Sequence, residues 1–454
     1  MIFSKKQTPT ASVKITNIEH LNSESELFRG FSIDGPSASA EFGAIDFTVC
    51  GWILSSNVRP LLSIEINIDG FQLKRIPINV PRSDVIEALN INDKSKTNCG
   101  FDTRIGILGL PNSFSIELVA VFRGDTANER VKVPFAMVSG DKTTNIQTPT
   151  KYQPLMLTAI GRSGTTWVMK LLSQHPEIAT SDFYPYEVKQ SAYWMQLLKI
   201  LTDPADFDVS SHPDKFDVTM SAIGHNPYTY PHYLNQYNDG SDLTKYYSST
   251  LIENTVKFAT NQVDEFYSLV AADANKPTAK YFAEKFVPTH LQSLYGDVYQ
   301  DAKEIILVRD FRDVLCSAKS FNEKRNSVAF GRERVSDDFE WVQHVSKAGI
   351  KRMVNALQER RKTAFVLKYE DVILQPEKVL TELFKYLGVE TSETMVQDII
   401  RSASEVNASM DAHKTTKNPA DSIGRWRNDM SVELQELCAQ EMGPLLKEFG
   451  YSID

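Results

Sequence analysis

The chain has no long apolar run. No window approaches the ~18 consecutive apolar residues of a membrane-spanning helix, and the first residues, MIFSKKQTPTAS, lack the apolar stretch of a secretory leader. A soluble, cytoplasmic protein is expected, with peripheral attachment to a membrane complex left open. Positive charge is in deficit, with 49 Lys and Arg against 58 Asp and Glu, a net charge of -9. Nucleic acid is bound by clustered basic residues that displace counterions, so no nucleic-acid partner is expected and any anion must sit in a local pocket. The four cysteines, Cys50, Cys99, Cys316 and Cys438, fit no CxxC or zinc-ligand spacing. They read as thiols of a reducing compartment, with no metal expected.

What remains is ample for two cores: 454 residues, 42% of them hydrophobic. Residues 1–145 alternate polar and apolar positions in short runs, such as Phe47 to Leu54, Leu62 to Ile68 and Phe114 to Val121, divided by turn signals at Asp69-Gly70 and Arg123-Gly124-Asp125. Period-two runs spaced this way predict an all-β sandwich. Trp52 and Phe71 read either as core or as a sugar platform. Polar Ser139 to Gln153, with no periodicity, supplies a linker placed at 146–153, and residues 154–454 form the second domain.

That domain is organised around Leu155 to Pro176, LMLTAIGRSGTTWVMKLLSQHP. A short apolar run predicts a buried strand, Gly161 and Gly164 a tight loop, and Trp167, Val168, Leu171 and Leu172 a helix. The amides near Gly164, Thr165 and Thr166 then lie at a helix N-terminus and face an anion. A nucleoside-triphosphate loop, GxxxxGK[ST], would carry lysine after its second glycine. Here the loop is two residues shorter, Thr165-Thr166 stand in that place, and the cation is Arg162. A planar guanidinium suits a phosphate or sulfonate oxygen.

GRSGTTW closely resembles the 5'-phosphosulfate loop of sulfotransferases that use 3'-phosphoadenosine 5'-phosphosulfate (PAPS). KEIILVRDFRDVLCSAKS, residues 303–320, resembles the same family's 3'-phosphate site, with Arg309 at a strand end and Ser317 eight residues on. HKTTKNPADSIGRWR, residues 413–427, resembles the late loop that closes over the nucleotide, and YFAEKFVPTH resembles its EK(S/T)P element with Phe286-Val287 interrupting. GWILSS, IDGFQL, VPRSDV and CGFDTRIGI resemble β-sandwich modules appended to some bacterial glycosyltransferases and sulfotransferases.

The resemblance covers residues 154–454. It implies an α/β fold, a five-stranded parallel sheet flanked by helices (sulfotransferase, P-loop-like), behind the N-terminal all-β sandwich. It implies metal-independent transfer of a sulfuryl group from PAPS to a hydroxyl of a saccharide or other polar metabolite, releasing 3'-phosphoadenosine 5'-phosphate (PAP). Arg162, Ser163, Gly164, Thr165 and Thr166 would hold the 5'-phosphosulfate, and Arg309 and Ser317 the 3'-phosphate. Ser422, Gly424, Arg425 and Trp426, with Lys414 and Lys417, would close the site, although Trp426 reads equally as a core anchor. Lys285 would touch acceptor or nucleotide. Glu187 is the leading candidate for the base that takes the acceptor's proton, with Asp182, Glu284 and His290 open beside it.

Three further stretches carry readings. Residues 200–275 hold His212, His225, Tyr228, Tyr230, His232, Tyr233, Tyr237, Tyr246 and Tyr247, an aromatic insert suited to an acceptor or a lid. Phe321 to Phe339 reads as a charged irregular loop, either solvated or touching an acidic acceptor. Pro376 and Gly388 bracket a helix. The rival functions are a P-loop kinase, which would need magnesium and the missing lysine, and a decayed transferase that only binds glycan. Acceptor identity and oligomeric state are left open.

Overall fold

The computed structural model describes residues 11–204, 246–404 and 415–453, apart from positions 57, 69, 94, 95, 127, 128, 290 and 417. The described residues form two compact units, the first within Met1–Thr148, Tyr193–Thr260 and Ser293–Val298, the second within Pro149–Ala192, Asn261–Gln292 and Tyr299–Asp454. Among them no helix is long and apolar enough to cross a membrane.

The first unit carries the alternating runs as antiparallel strands. A six-stranded sheet includes Ala11–His20, Arg130–Thr144, Ser113–Arg123 and Leu61–Ile68, and a three-stranded sheet is made of Phe28–Gly35, Asp46–Ser55 and Gly100–Gly106. Phe114, Ile116, Leu118, Ala120 and Phe122 are all buried, as period two requires of an inward face. The sheets meet through rings: Phe47 stacks on Phe114 at 5.7 Å, and Phe28 and Phe31 pack on Phe135. Trp52 packs against the cluster of Leu54, Val85 and Ile86. Ser139 to Thr144, expected to open a polar connection, instead completes the 15-residue strand Arg130–Thr144. Its polarity has a partner, because buried Lys142 ion-pairs with buried Asp297 at 2.6 Å and donates to the Ile107 carbonyl at 2.9 Å.

The second unit holds a parallel sheet of β1 (Gln153–Thr158), β2 (Ile178–Ala179), β3 (Tyr281–Phe286), β4 (Lys303–Val308) and β5 (Phe365–Lys368) in the order β2-β3-β1-β4-β5. Both faces of the central strands β1 and β4 are covered, so Leu155 to Leu157 and Ile305 to Val308 are buried in succession rather than alternately. Leu155, Leu157, Ile305 and Leu307 meet Val168 and Leu172 of helix α1 (Thr165–Ser173) on one side. Ile306 and Val308 meet Leu315 of helix α2 (Phe311–Arg325) and Trp341 on the other. The central strand β1 lies between β3 and β4, so the chain reverses its direction of winding there. Such a switch point opens a crevice at the carboxyl ends of the strands.

Pro376 and Gly388 stand at the first position and the left-handed cap of helix Pro376–Leu387. Phe321 to Phe339 is more regular than expected. Phe321 to Arg325 ends α2, Asn326 terminates it with φ 49°, and Asp337 caps a helix from Asp338 by accepting from the Glu340 amide at 2.8 Å. The charges that suggested a loop are the solvent faces and caps of helices. Likewise Leu251–Asp273, within the expected insert, is a 23-residue helix. The aromatic and histidine positions from 205 to 245 lie outside the described residues.

Candidate functional site

The loop after β1 follows from its sequence. Arg162 takes φ 69° and Gly164 φ 95°, and Gly164 caps α1. Backbone turned alternately into the left-handed region gathers successive amides into a concave anion nest. Glycine is required at 164, since a Cβ there would stand 2.4 Å from the Tyr369 ring. Ser163 is fully buried, and its hydroxyl has no hydrogen-bond partner among the described residues.

Because β1 and β4 are adjacent and parallel, their following turns converge. Arg309, just beyond β4, is 4% exposed and donates to the Arg162 carbonyl at 3.2 Å and to the Ser422 carbonyl at 2.7 Å. Its guanidinium lies 4.5 Å over the Tyr369 ring, and its Nε is buried without a partner among the described residues. Asp310 caps α2, which carries Ser317 to the same place; the Arg162 Nε donates to the Ser317 hydroxyl at 3.4 Å. These groups line one cleft of about 160 Å³ with Thr165, Thr166, Tyr184, Tyr369, Thr415 and Ser422. Burial, then the nearby Arg309 and Arg325, lower the Arg162 pKa to about 10, leaving it charged at neutral pH. A buried guanidinium and a half-buried one, an unsatisfied N-H, hydroxyls and a helix N-terminus form a donor set suited to a ligand with more than one anionic group.

Lys285, near the end of β3, comes to the same loop. Its ammonium donates to the Thr166 hydroxyl at 3.1 Å, to the Pro185 carbonyl and to Glu187 at 2.9 Å. Burial lowers its pKa, and Glu187 opposes that shift. The Lys285 side chain is 6% exposed and that of Glu187 57%, so the carboxylate keeps an open face. Glu284, the preceding residue, faces away. Fully buried, it accepts from the Ser191 amide and hydroxyl and from the Tyr267 hydroxyl, each at 2.7 Å, and from the Ala192 amide. It caps helix Gln190–Thr202 and burial raises its pKa, so it is structural rather than a free base. Asp182 is exposed and, like Glu187 and Lys285, is not among the residues lining the cleft, but unlike Glu187 it is not held by Lys285. His290, Lys414 and Lys417 lie outside the described residues.

The late loop departs from expectation. Ser422 reaches the cleft, its hydroxyl 3.1 Å from that of Tyr369. Gly424, Arg425 and Trp426 do not line it. The Gly424 and Trp426 amides donate to Asp313 at 2.7 and 3.0 Å. Arg425 is held by Asp429 and Ser320 and also donates to the Thr415 hydroxyl at 3.4 Å. Trp426 is buried in the core, with the Arg312 guanidinium 3.7 Å over its ring. Asp310, Arg312 and Asp313 are also buried, Arg312 being tied to Asp310 and to the Ser452 and Ile453 carbonyls. Tyr369 and Thr415 are cleft residues that sequence reasoning missed. The only signal for Tyr369 was its place at the end of a strand in the sheet.

A parallel sheet with such a cleft at its switch point defines the class of α/β proteins that bind phosphorylated or sulfated ligands beyond their strand ends. The chain belongs to the sulfotransferase family, whose model matches residues 154–393. It is 26% identical over 174 residues to carbohydrate sulfotransferase 3 of Mus musculus, covering 36% of each chain. It is 27% identical over 190 residues to the protein of that name from Tetronarce californica, covering 38% of this chain and 42% of that one. The matched stretch thus spans about two fifths or less of these curated relatives. Among solved structures it is similar to the sulfotransferase domain from the curacin biosynthetic pathway, with TM-score 0.35 and 15% identity over 64% of this chain and 98% of that one. It is also similar to retinol dehydratase in complex with androsterone and inactive cofactor PAP, with TM-score 0.35 and 15% identity over 75% and 91%.

Proposed function

We propose that this chain is a PAPS-dependent sulfotransferase that acts on a hydroxyl acceptor, a saccharide or another polar metabolite. The observation that carries this reading is the convergence of Arg162, Arg309 and Ser317, from the ends of two adjacent strands, on one cleft. The donor set fits a nucleotide bearing two separate anionic groups, because the Arg309 Nε and the Ser163 hydroxyl are buried without a partner among the described residues, one beside each strand end. PAPS, when bound, supplies a sulfuryl group on a phosphate leaving group. Arg162 and the loop amides hold the 5' end, and Arg309 and Ser317 the 3'-phosphate. Lys285 places positive charge beside Thr166, where negative charge grows on the leaving oxygen. Glu187, fixed by Lys285 and open on its outer face, takes the acceptor's proton as the hydroxyl oxygen bonds to sulfur.

A thermal shift with PAP and with ATP, each with magnesium or EDTA, tests the donor. At about a thousand times its dissociation constant PAP should stabilise the chain by ~4 kcal/mol, with EDTA making no difference. A response to ATP with magnesium alone would restore the kinase reading, and no response to either would indicate a binding-only protein. Glu187→Gln should lower kcat by roughly a hundredfold or more while the PAP shift stays unchanged. Near-full turnover would move the base elsewhere.

A further inference from the structure

The turn after β5 carries more than the Tyr369 ring. Tyr369 and Glu370 follow that strand directly, as Arg309 and Asp310 follow β4, and the two strands pair in parallel with Val308 opposite Lys368. The two turns therefore lie side by side. One bond joins them: the Asp310 amide donates to Oε1 of Glu370 at 3.0 Å. That amide belongs to the planar peptide unit leaving Arg309, so holding it restrains the ψ angle of Arg309. Glu370 also directly follows the residue whose ring lies 4.5 Å from the Arg309 guanidinium. A single carboxylate thus sets both the backbone from which Arg309 springs and the place of the aromatic face against its charge.

The other oxygen of Glu370 is engaged as well. Its Oε2 accepts from the Tyr451 hydroxyl at 2.8 Å. Burial, and then the nearby Glu370 carboxylate, push that hydroxyl far above the usual tyrosine range, so it keeps its proton and remains a donor. Tyr451 is itself fixed. Its amide donates to the Leu446 carbonyl at 3.0 Å, and the Lys368 ammonium lies 4.9 Å over its ring. The Ser452 and Ile453 carbonyls just beyond accept from buried Arg312 at 2.7 and 2.9 Å. We propose that Glu370, oriented by Tyr451, is a positioning residue for the 3'-phosphate of the nucleotide. It does not line the cleft and acts through Arg309 and Tyr369. The inference rests on the transferase reading and deepens it, since it names what makes the site discriminate a nucleotide with a 3'-phosphate from one without. Charge-assisted bonds are short and directional, so a guanidinium released from its turn loses the phosphate without losing its charge.

Titration calorimetry with PAP and with adenosine 5'-monophosphate, which lacks the 3'-phosphate, tests it. The wild-type protein should prefer PAP by about tenfold or more, the value of a charge-assisted contact. Glu370→Ala should remove most of that preference and leave the affinity for the monophosphate unchanged. Glu370→Gln, whose amide oxygen still accepts from the Asp310 amide, should restore most of it. Tyr451→Phe should lower the preference by about threefold, the value of one hydrogen bond. Added to Arg309→Ala, Glu370→Ala should cost nothing further, because it acts through that guanidinium. A loss shared equally by both nucleotides marks a merely structural role and overturns the proposal, as does a further loss in the double variant. Should Glu370→Ala not fold, Tyr451→Phe decides, and an unchanged preference there overturns the role of Tyr451 in orienting the carboxylate. Equal binding of the two nucleotides by the wild-type protein overturns the donor reading and this proposal together. A wild-type preference for PAP that all three single variants retain overturns the proposal alone.

Discussion

The two loops that frame the cleft, Gly161 to Thr166 and Thr415 to Trp426, reach it by different routes. In the first, geometry is local: strand, glycine turn and helix follow one another, and each residue's direction is set by its neighbours. In the second, geometry is imposed from a distance, because Asp313, 111 residues before Gly424, takes the Gly424 and Trp426 amides. A loop of the first kind can be read residue by residue. One of the second kind can be placed from sequence, but its side chains cannot be assigned until the anchor is known.

This contrast can be broken at its strongest point first. Gly164→Ala forces a left-handed φ on a residue with a Cβ and drives that carbon into Tyr369. A loss of at least ~2 kcal/mol of stability, with loss of the PAP response, should appear in denaturant melts. If both survive, the first loop is not locally determined. Arg309→Ala should come next, weakening PAP by roughly tenfold to a hundredfold in calorimetry, the value of a charge-assisted bond. Unchanged affinity would remove the 3'-phosphate assignment.

Asp313→Ala should cost ~1–2 kcal/mol and weaken PAP only modestly, through a loosened late loop. Burial raises the Asp313 pKa from 3.8 to about 6. The neutral carboxyl is therefore favoured in the folded state. Its contribution to stability is complete below 3.8 and is lost as pH rises through about 6. Melts between pH 4 and 7 should show this slope, and Asp313→Asn, which does not titrate, should flatten it. The smallest effect is expected from Arg425→Ala, whose short bonds run to Asp429 and Ser320 and which touches the cleft only through a 3.4 Å bond to the Thr415 hydroxyl. A PAP defect as large as that of Arg309→Ala would make the two loops alike after all.

The same distinction marks what the sequence could disclose. Period-two runs sufficed for the antiparallel sheets, and the short apolar runs near Leu155 and Ile305 for parallel strands. Arg162, Arg309 and Ser317 were singled out by the resemblance of their two motifs to a known family, and the parallel pairing of the strands explains why the two turns lie side by side. Tyr369 was not, since it meets Ser422 across 53 positions and its role depends on the absence of a Cβ at Gly164. Lys142 was hidden for a like reason, being a polar residue in a polar stretch whose acidic partner lies 155 positions away. Helices ending at Arg325 and beginning at Asp338 were obscured by charges that serve their caps and solvent faces.

Glu284 and Lys285 occupy consecutive places on β3 and face opposite ways, one bound to Ser191 and Tyr267, the other to Thr166 and Glu187. Insertion or deletion of one residue between Tyr281 and Glu284 would exchange them, sending an ammonium among the donors that hold the carboxylate and a carboxylate into an anion site. The six-residue length of this strand is therefore constrained more tightly than its composition. Apolar exchanges at Phe282 or Ala283 leave the alternation intact, whereas a single-codon gap disables both partners at once. Natural variation along this strand should accordingly consist of substitutions, with gaps displaced into the turns on either side.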